Sequence, residues 1–365
     1  MPTSEIDADR LKAFQFLVFS KLEGAVTAGM VHLGDRLGLY RALADAPGPL
    51  TATELAGATG LHERWVREWA YNQAAAKIVA IDAVDTDGGG ERFSLTPEAV
   101  AVLASPDHEA YGMGMFHQLP QTMDALDRLP DSFRSGLGFD YDAHGPEAAV
   151  GIERGFEPWN RAHFLPDVLP LLDGVGDKLA AGGSMIDVGC GTGGAVLMVA
   201  GAFPACHATG YDISRHALAR AGVRKADAGA TNAEFRDPRQ VALPTDHSAD
   251  LVTTFDCIHD MTDPQSMMTA IRGAVADDGT WLLVDIKALD TFTENAAKNP
   301  MASLMYGISG MSCMSSALSE PGGAGLGTLG LPSSRAEAMA RKAGFTRFRK
   351  LPVEHAINAF YEVRP

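Results

Sequence analysis

"MIDVGCGTGG", residues 185–194, decides how the chain is read. Apolar strand residues and an aspartate run straight into small residues, and "GAVLMVAGAF" then has helical character. Glycines there permit a tight turn at positive φ and let a ligand press against bare backbone. The helix that follows offers unpaired N–H groups at its start. Gly189, Gly191 and Gly194 fit G-x-G-x-x-G, whereas Gly189, Gly191 and Gly193 fit G-x-G-x-G. The spacing alone leaves both registers open.

Downstream, strand and helix alternate. "SMIDVG", "HATGYDIS", "AEFRDP", "ADLVTTFDC" and "TWLLVDIK" read as strands. "RHALARAGVRKA", "DPQSMMTAIRGAVA" and "SSRAEAMARKAG" read as helices, and "FTRFRKLPV" with "INAFYEVR" closes the chain as an antiparallel pair. The pattern predicts an α/β fold: a doubly wound, mostly parallel seven-stranded sheet with helices on both faces. Ligands of such sheets sit at the carboxyl ends of the strands.

Three acids mark those ends: Asp187, Asp212 and Asp237. A dinucleotide site uses the second-strand acid but has no standing need of the other two. A ligand with an amino-acid tail, a ribose and an adenine would use all three. Asp187 would order the loop near the ammonium, Asp212 would take the ribose hydroxyls and Asp237 the adenine amine.

Upstream, residues 6–44 read as helical, with Leu11, Phe14, Leu17 and Val18 at helical spacing. In residues 50–81 Thr51 and Glu54 fit a capping box. A Gly-containing turn leads to a second helix near His62, with Trp65, Val66 and Trp69 placed on one face, and two strands around "DTDGGGER" make a wing. This is winged-helix syntax, yet residues 1–110 hold nine Lys/Arg against sixteen Asp/Glu. A phosphate-binding surface needs the opposite balance, so dimerisation is the expected role of an N-terminal helical and winged-helix domain, 1–104. Residues 105–365 form the second domain, beginning with linker segments in which Pro120, Pro130, Pro146, Pro158, Pro166 and Pro170 read as breaks.

The net charge of −16 argues against nucleic acid as partner and suits an enzyme acting on a small molecule. Cys190, Cys206, Cys257 and Cys313 form no CxxC pair or metal spacing, so no metal site and a cytoplasmic location are expected. "AFQFLVF" (13–19) is short of the ~20 apolar residues that cross a bilayer, so no membrane association is expected.

The motif set resembles the class I S-adenosylmethionine-dependent methyltransferases, with their Rossmann-like fold. "MIDVGCGTGG" matches their glycine-rich motif, "GYDIS" the ribose acid and "FRDPRQVALP" the adenine acid. "ADLVTTFDCIHDMTDP" and "GTWLLVDIK" match the fourth and fifth strands, so the likeness covers residues about 180–365. With its winged helix, the chain is similar to small-molecule O-methyltransferases and to actinobacterial methyltransferases. The resemblance implies S-adenosyl-L-methionine as cofactor and a homodimer. It places Gly189, Cys190, Gly191 and Gly193 by the methionine moiety. Asp212 and Ile213 fall at the ribose and adenine, Asp237 and Pro238 at the adenine, and Phe255 and Asp256 at the fourth-strand side. Trp159 and His163 lie where the family's linker helix covers the cofactor; His163 and His117 are candidate acceptor contacts.

The stretch 288–333 is long and methionine-rich, which suits a lid over an apolar or aromatic acceptor, with Met305 and Tyr306 as candidate contacts. A hydroxyl acceptor must lose a proton, most often to His. His259, three residues past Asp256, is the expected base, and Asp260 the expected partner or substitute. Two other classes compete. A transcriptional regulator binding the same cofactor is opposed by the acidic wing, and an NAD-dependent oxidoreductase by the missing dehydrogenase constellation.

Overall fold

The computed structural model describes residues 6–85 and 90–365, which form two compact units, one reaching to Pro120 and one spanning Gln121–Pro365. The first opens with a helix, Ala8–Arg36, whose N-cap Asp7 accepts the Arg10 N–H at 2.8 Å. Only Thr27, Val31 and Gly34 of this helix are buried. A Cβ at Gly34 would stand 2.7 Å from the rings of Trp69 and Tyr40, and Trp69 Nε1 donates to Met30 O at 2.9 Å. The N-terminal half is bare: Phe14, Leu17, Phe19, Leu22 and Val26 are exposed. The run 13–19 is short, but the helix around it is not. With 29 residues and an 18-residue stretch of mean hydropathy 1.2, it is long and apolar enough to cross a membrane by length and composition only.

A winged helix follows. Strands β1 (Leu50–Thr51), β2 (Ala80–Asp85) and β3 (Gly90–Ser94) pair in the order β1-β3-β2, with helices Ala52–Thr59 and Glu63–Ala75 between β1 and β2. The capping box forms, Glu54 N–H donating to Thr51 Oγ1 at 3.2 Å and Thr51 N–H to Glu54 Oε2 at 2.8 Å. Gly60, at φ +70°, ends the first helix where a left-handed residue is needed. The face expected of Trp65, Val66 and Trp69 divides: Val66 and Trp69 are buried, while Trp65 is 78% exposed. Residues 86–89 of the expected wing tip lie outside the described residues.

The second unit is built on seven strands: β4 (Ser184–Val188), β5 (His207–Tyr211), β6 (Ala233–Arg236), β7 (Ala249–Phe255), β8 (Val275–Ile286), β9 (Arg347–Lys350) and β10 (Asn358–Arg364). Their order is β6-β5-β4-β7-β8-β10-β9. Pairings through β8 are parallel, and β10 runs antiparallel to both β8 and β9. The chain reverses direction between β4 and β5 on one side and β7 on the other, which makes the ends of these strands the topological switch point. Val275 pairs with Ala249, so β8 claims the last residues expected of the helix Pro264–Ala274.

Both faces of the sheet are covered. Val252, Trp281 and Leu283 pack against Met268, Ile271 and Ala336 on one side. Leu251 and Leu282 pack against Phe164, Leu179 and Val196 on the other. Pro158, expected as a break, lies buried inside the helix Pro146–His163. That helix is held to its neighbours by Glu153 with Arg220 and Glu157 with Arg224.

Candidate active site

The glycine loop settles its own register. Gly189, Gly191 and Gly193 stand at φ +72°, +54° and +83°, so these three take left-handed backbone, and Gly194 opens the helix Gly194–Ala202. A Cβ at Gly189 would lie 2.6 Å from Cys257 Cβ, and one at Gly193 2.3 Å from the Phe235 ring. At Gly191 it would meet nothing within 4 Å, so this residue alone among the three turns an open face outward. Gly189 N–H and Cys190 N–H both donate to Tyr211 O, at 2.8 and 3.0 Å, which ties the turn to β5. Arg224 clamps it from the side, donating to Thr192 Oγ1 at 2.7 Å.

The three acids gather around this loop in different electrostatic states. Asp187 is buried and accepts the Thr253 hydroxyl at 2.6 Å; burial pushes its carboxyl up to about 7. Asp212 braces two turns at once, accepting Gly191 N–H at 2.8 Å and Ser214 N–H at 2.7 Å. Burial raises its pKa against the pull of those N–H groups. Asp237 is held below the usual carboxylate range by hydrogen bonds from Arg239, whose guanidinium also donates to Ile213 O at 2.6 Å. Arg239 therefore joins two of the expected cofactor contacts, with Pro238 between it and Asp237 in the chain. Asp142, which nothing in the sequence singled out, accepts the Ser214 hydroxyl at 2.7 Å and Arg215 N–H at 3.3 Å.

Beyond β7 the chain turns sharply. Phe255 meets Phe164 edge-on, with ring centroids 5.5 Å apart. Asp256 then adopts φ +50°, a conformation that costs a non-glycine residue and marks sites held by their surroundings. Its N–H donates to Val284 O at 3.0 Å, and its Oδ1 accepts from Asn358 Nδ2. Cys257 donates to Val188 O at 3.1 Å. His259, 2% exposed, follows in the 3-10 turn Ile258–Asp260, with Nδ1 2.7 Å from Asp285 Oδ1. A carboxylate there requires the proton on Nδ1 and leaves Nε2 as the second ring nitrogen.

Burial opposes charge on His259, but the Asp285 carboxylate outweighs it, with a contact from Cys313, and holds the imidazole well above its usual range. Burial lifts the Asp260 carboxyl to about 7, against the pull of His259. Tyr141, from the 3-10 turn Tyr141–His144, is half-buried, and its phenol feels both Asp260 and Asp212; desolvation raises its pKa first, and those charges add. The segment carrying it is pinned to the far loop by Gly138 N–H to Leu318 O at 2.9 Å and Phe139 N–H to Ser315 Oγ at 3.1 Å. Asp285, Tyr141 and Cys313 are the residues sequence reasoning missed here.

Residues 179–324 match a family described as a methyltransferase domain, and residues 25–105 one described as an Rv2258c-like winged helix-turn-helix domain. The second unit thus carries a methyltransferase domain over residues 179–324. The chain is 26% identical over 202 residues to the mitomycin biosynthesis 6-O-methyltransferase of Streptomyces lavendulae, an alignment covering 52% of this chain. It thus spans about half the length, 53%, of that curated relative. Its fold is similar to that of human N-acetylserotonin methyltransferase in complex with SAM, with a TM-score of 0.69, 18% identity and coverage of 100% of this chain and 99% of the other. It is also similar to the O-methyltransferase NcsB1 of neocarzinostatin biosynthesis, solved with S-adenosylmethionine and 2-hydroxy-5-methyl naphthoic acid. There the TM-score is 0.59 and identity 17%, covering 93% of this chain and 95% of that one.

Other expected contacts of the methyltransferase domain fall elsewhere. Trp159 belongs to an aromatic stack, with centroids 4.7 Å from His163, 4.6 Å from His355 and 5.4 Å from Phe360. From the same helix it is Glu157 that reaches the glycine loop, its Oε1 lying 2.6 Å from where a Gly194 Cβ would stand. His163 pairs with Asp167 at 2.6 Å. Met305 is buried in a small cluster with Ala302 and Leu329. Tyr306 stacks on Phe292 at 5.6 Å and lines an open groove with Ala296, Ser303 and Pro300. His117 ends the helix Met113–His117 in the first compact unit.

Proposed function

We propose that the chain methylates a hydroxyl of a small apolar or aromatic molecule, using S-adenosyl-L-methionine. When bound, that cofactor supplies an electrophilic methyl group on a sulfonium. The residues present fit it: Gly191 leaves an open face, Asp212 holds the Gly191 N–H directly, and Arg239 joins Ile213 O to Asp237. In this reading Gly189, Cys190, Gly191 and Gly193 border the amino-acid end, and Asp187 orders the loop through Thr253. Asp212 holds the ribose, while Ile213, Asp237 and Pro238 flank the adenine. Phe255 closes the fourth-strand side.

The observation that carries the proposal is the buried His259–Asp285 pair at the end of β7, next to the glycine loop through Cys257. Asp285 fixes the ring and its tautomer, so Nε2 is the nitrogen that takes the acceptor's proton once His259 is neutral. Asp260 and Tyr141 bound the same buried region. The 6-O-methyltransferase relative and the naphthoate-bound neighbour support a small hydroxylated, ring-bearing acceptor.

The homodimer belongs to this proposal. A helix with Phe14, Leu17, Phe19 and Leu22 exposed in a row has apolar surface to bury, and a second copy would supply the partner. Lys21 and Glu23 lie in the middle of the helix Ala8–Arg36 and would be costly at a bilayer centre, which favours protein over membrane as cover. A regulator reading is weaker, because the exposed arginines of the helix Glu63–Ala75 are paired to glutamates rather than free for phosphates. The four free cysteines suit a reducing, cytoplasmic setting.

Titration calorimetry with S-adenosylmethionine and with NAD tests the cofactor, and radiolabelled methyl transfer to a panel of phenols and hydroxyquinones tests the reaction. Binding of NAD in preference to S-adenosylmethionine would refute the assignment.

A further inference from the structure

Beside His259 two buried carboxyl groups are left incompletely bonded. Asp285 is 1% exposed; its Oδ1 serves His259 Nδ1 and Ile286 N–H, and its Oδ2 has no partner. Asp256 gives its Oδ1 to Asn358, and its buried Oδ2 also has no partner. The two residues stand side by side. Phe255 pairs with Val284 in the parallel β7–β8 ladder, Asp256 N–H donates to Val284 O, and Asp256 and Asp285 come next on each strand. Two neighbouring acceptors cannot satisfy each other, and leaving either bare in the interior is costly. One proton resolves both.

We propose that Asp256 is a positioning residue that keeps one proton between itself and Asp285, its Oδ2–H donating to Asp285 Oδ2. All four carboxyl oxygens are then bonded. The pair carries one negative charge rather than two, and that charge sits on the carboxyl that holds His259. Like charges this close do not both ionise at ordinary pH. Asp256 takes left-handed backbone, and its side chain reaches Asn358 of β10, which pairs with Ile286 next to Asp285 on β8.

The groups around the pair agree. Asp256 faces Asp285 from β8, His259 and Asp260 from its own turn, and Asn358 from β10, while Cys313 meets His259 from the helix Cys313–Ala317 and Tyr361 lies within reach of the Asp285 charge. Burial, then the Asp285 charge, lifts the Asp256 carboxyl to about 7. The consequence for His259 follows in sign. A second negative charge on Asp256 would favour the imidazolium further and delay the neutral form a base requires. The consequence rests on the reading of His259 as proton acceptor; the shared proton does not.

Infrared difference spectroscopy of the full chain at pH 6 reads the proton directly. Wild type minus Asp256→Asn is expected to show one protonated-carboxyl C=O band, lost in the variant. Asn can donate to Asp285 and accept from Asn358, so the variant keeps the shape of the protonated acid. Asp285→Asn is expected to move that difference band to higher frequency, because the acceptor of the Asp256 O–H becomes an uncharged amide oxygen. No carboxyl band in the wild type minus Asp256→Asn difference, or one that Asp285→Asn leaves unmoved, would overturn the shared proton. Should Asp285→Asn fail to fold, titration of the wild-type band decides: loss of the band absent from Asp256→Asn is expected as pH rises past neutrality, and its absence already at pH 6 refutes the pair. Neither reading needs methyl transfer, so a wrong substrate class would leave this result standing.

Discussion

The winged helix and the methyltransferase domain use charge in opposite ways. On the helix Glu63–Ala75, Arg64 pairs with Glu68 and Arg67 with Glu63, all on the surface and all within one helix. At the ends of β4, β5, β7 and β8, Asp187, Asp212, His259 and Asp285 are all buried. Surface pairs are screened by water and contribute little. Buried groups are screened little, so each shifts its neighbours' protonation, as Asp285 does to His259. The contrast teaches where to look for chemistry: a motif whose charges cancel on its own surface is scaffold, and one whose charges are carried inward and left to act on each other is a site.

The strongest attempt to break that contrast is His259→Ala. It is expected to lower kcat by roughly 10²–10⁴-fold while S-adenosylmethionine affinity stays near wild type. The wild-type rate should rise with pH, because Asp285 holds the imidazole above its usual range and the base form appears only as that proton leaves. Loss of this rise in the variant, read from kcat against pH, ties the limb to His259. An unchanged profile would give the role to another group.

Asp212→Ala comes next. Its carboxylate holds Gly191 N–H and Ser214 N–H together, and removing it frees both turns. Charge-assisted bonds are worth about 1.5–3 kcal/mol each, so cofactor affinity is expected to fall by at least ~10-fold in calorimetry. Undiminished affinity would move the cofactor away from this strand end.

A smaller and more local difference separates Gly191 from Gly193. Alanine at either must take left-handed backbone, at about 1–2 kcal/mol. Gly193→Ala must also push back the Phe235 ring, whereas Gly191→Ala projects into open space. Thermal unfolding should therefore penalise Gly193→Ala more. Cofactor titration should reveal a defect in Gly191→Ala out of proportion to its stability loss.

Much of this is legible in the sequence. The strand ends were visible because each joins an apolar run to an acid or glycine, and the capping box at Thr51 because its bonds are local. Asp285 escaped notice because a lone acid in "LLVDIK" looks like any strand residue until His259 is brought beside it. Tyr141 and Asp142 sit in linker sequence with no periodicity to place them, and their partners are more than 70 residues away in the chain. Trp159 drew attention by its position in the linker, but ring packing against His355 and Phe360 decided where it went. Pro158 reads as a break by local propensity, yet it lies buried within a continuous helix.

The smallest expected effect tests the other half of the contrast. Arg64 and Glu68 have side chains 61% and 59% exposed, spaced i,i+4 on the helix that a DNA-binding winged helix would present. If they only cancel each other, Arg64→Ala and Glu68→Ala should each change stability by no more than ~0.5 kcal/mol, and the double variant should match their sum to within a similar margin. Raising the ionic strength should erase even that, because exposed charges are screened over about 10 Å at 0.1 M salt. Methyl transfer should not respond at all. A phosphate-binding helix would behave otherwise. Removing Glu68 would free Arg64, and retention of genomic fragments in a gel shift would rise in Glu68→Ala and fall in Arg64→Ala, with a steep salt dependence. That pattern would show the surface charges are not merely self-cancelling and would restore the regulator reading of the first unit.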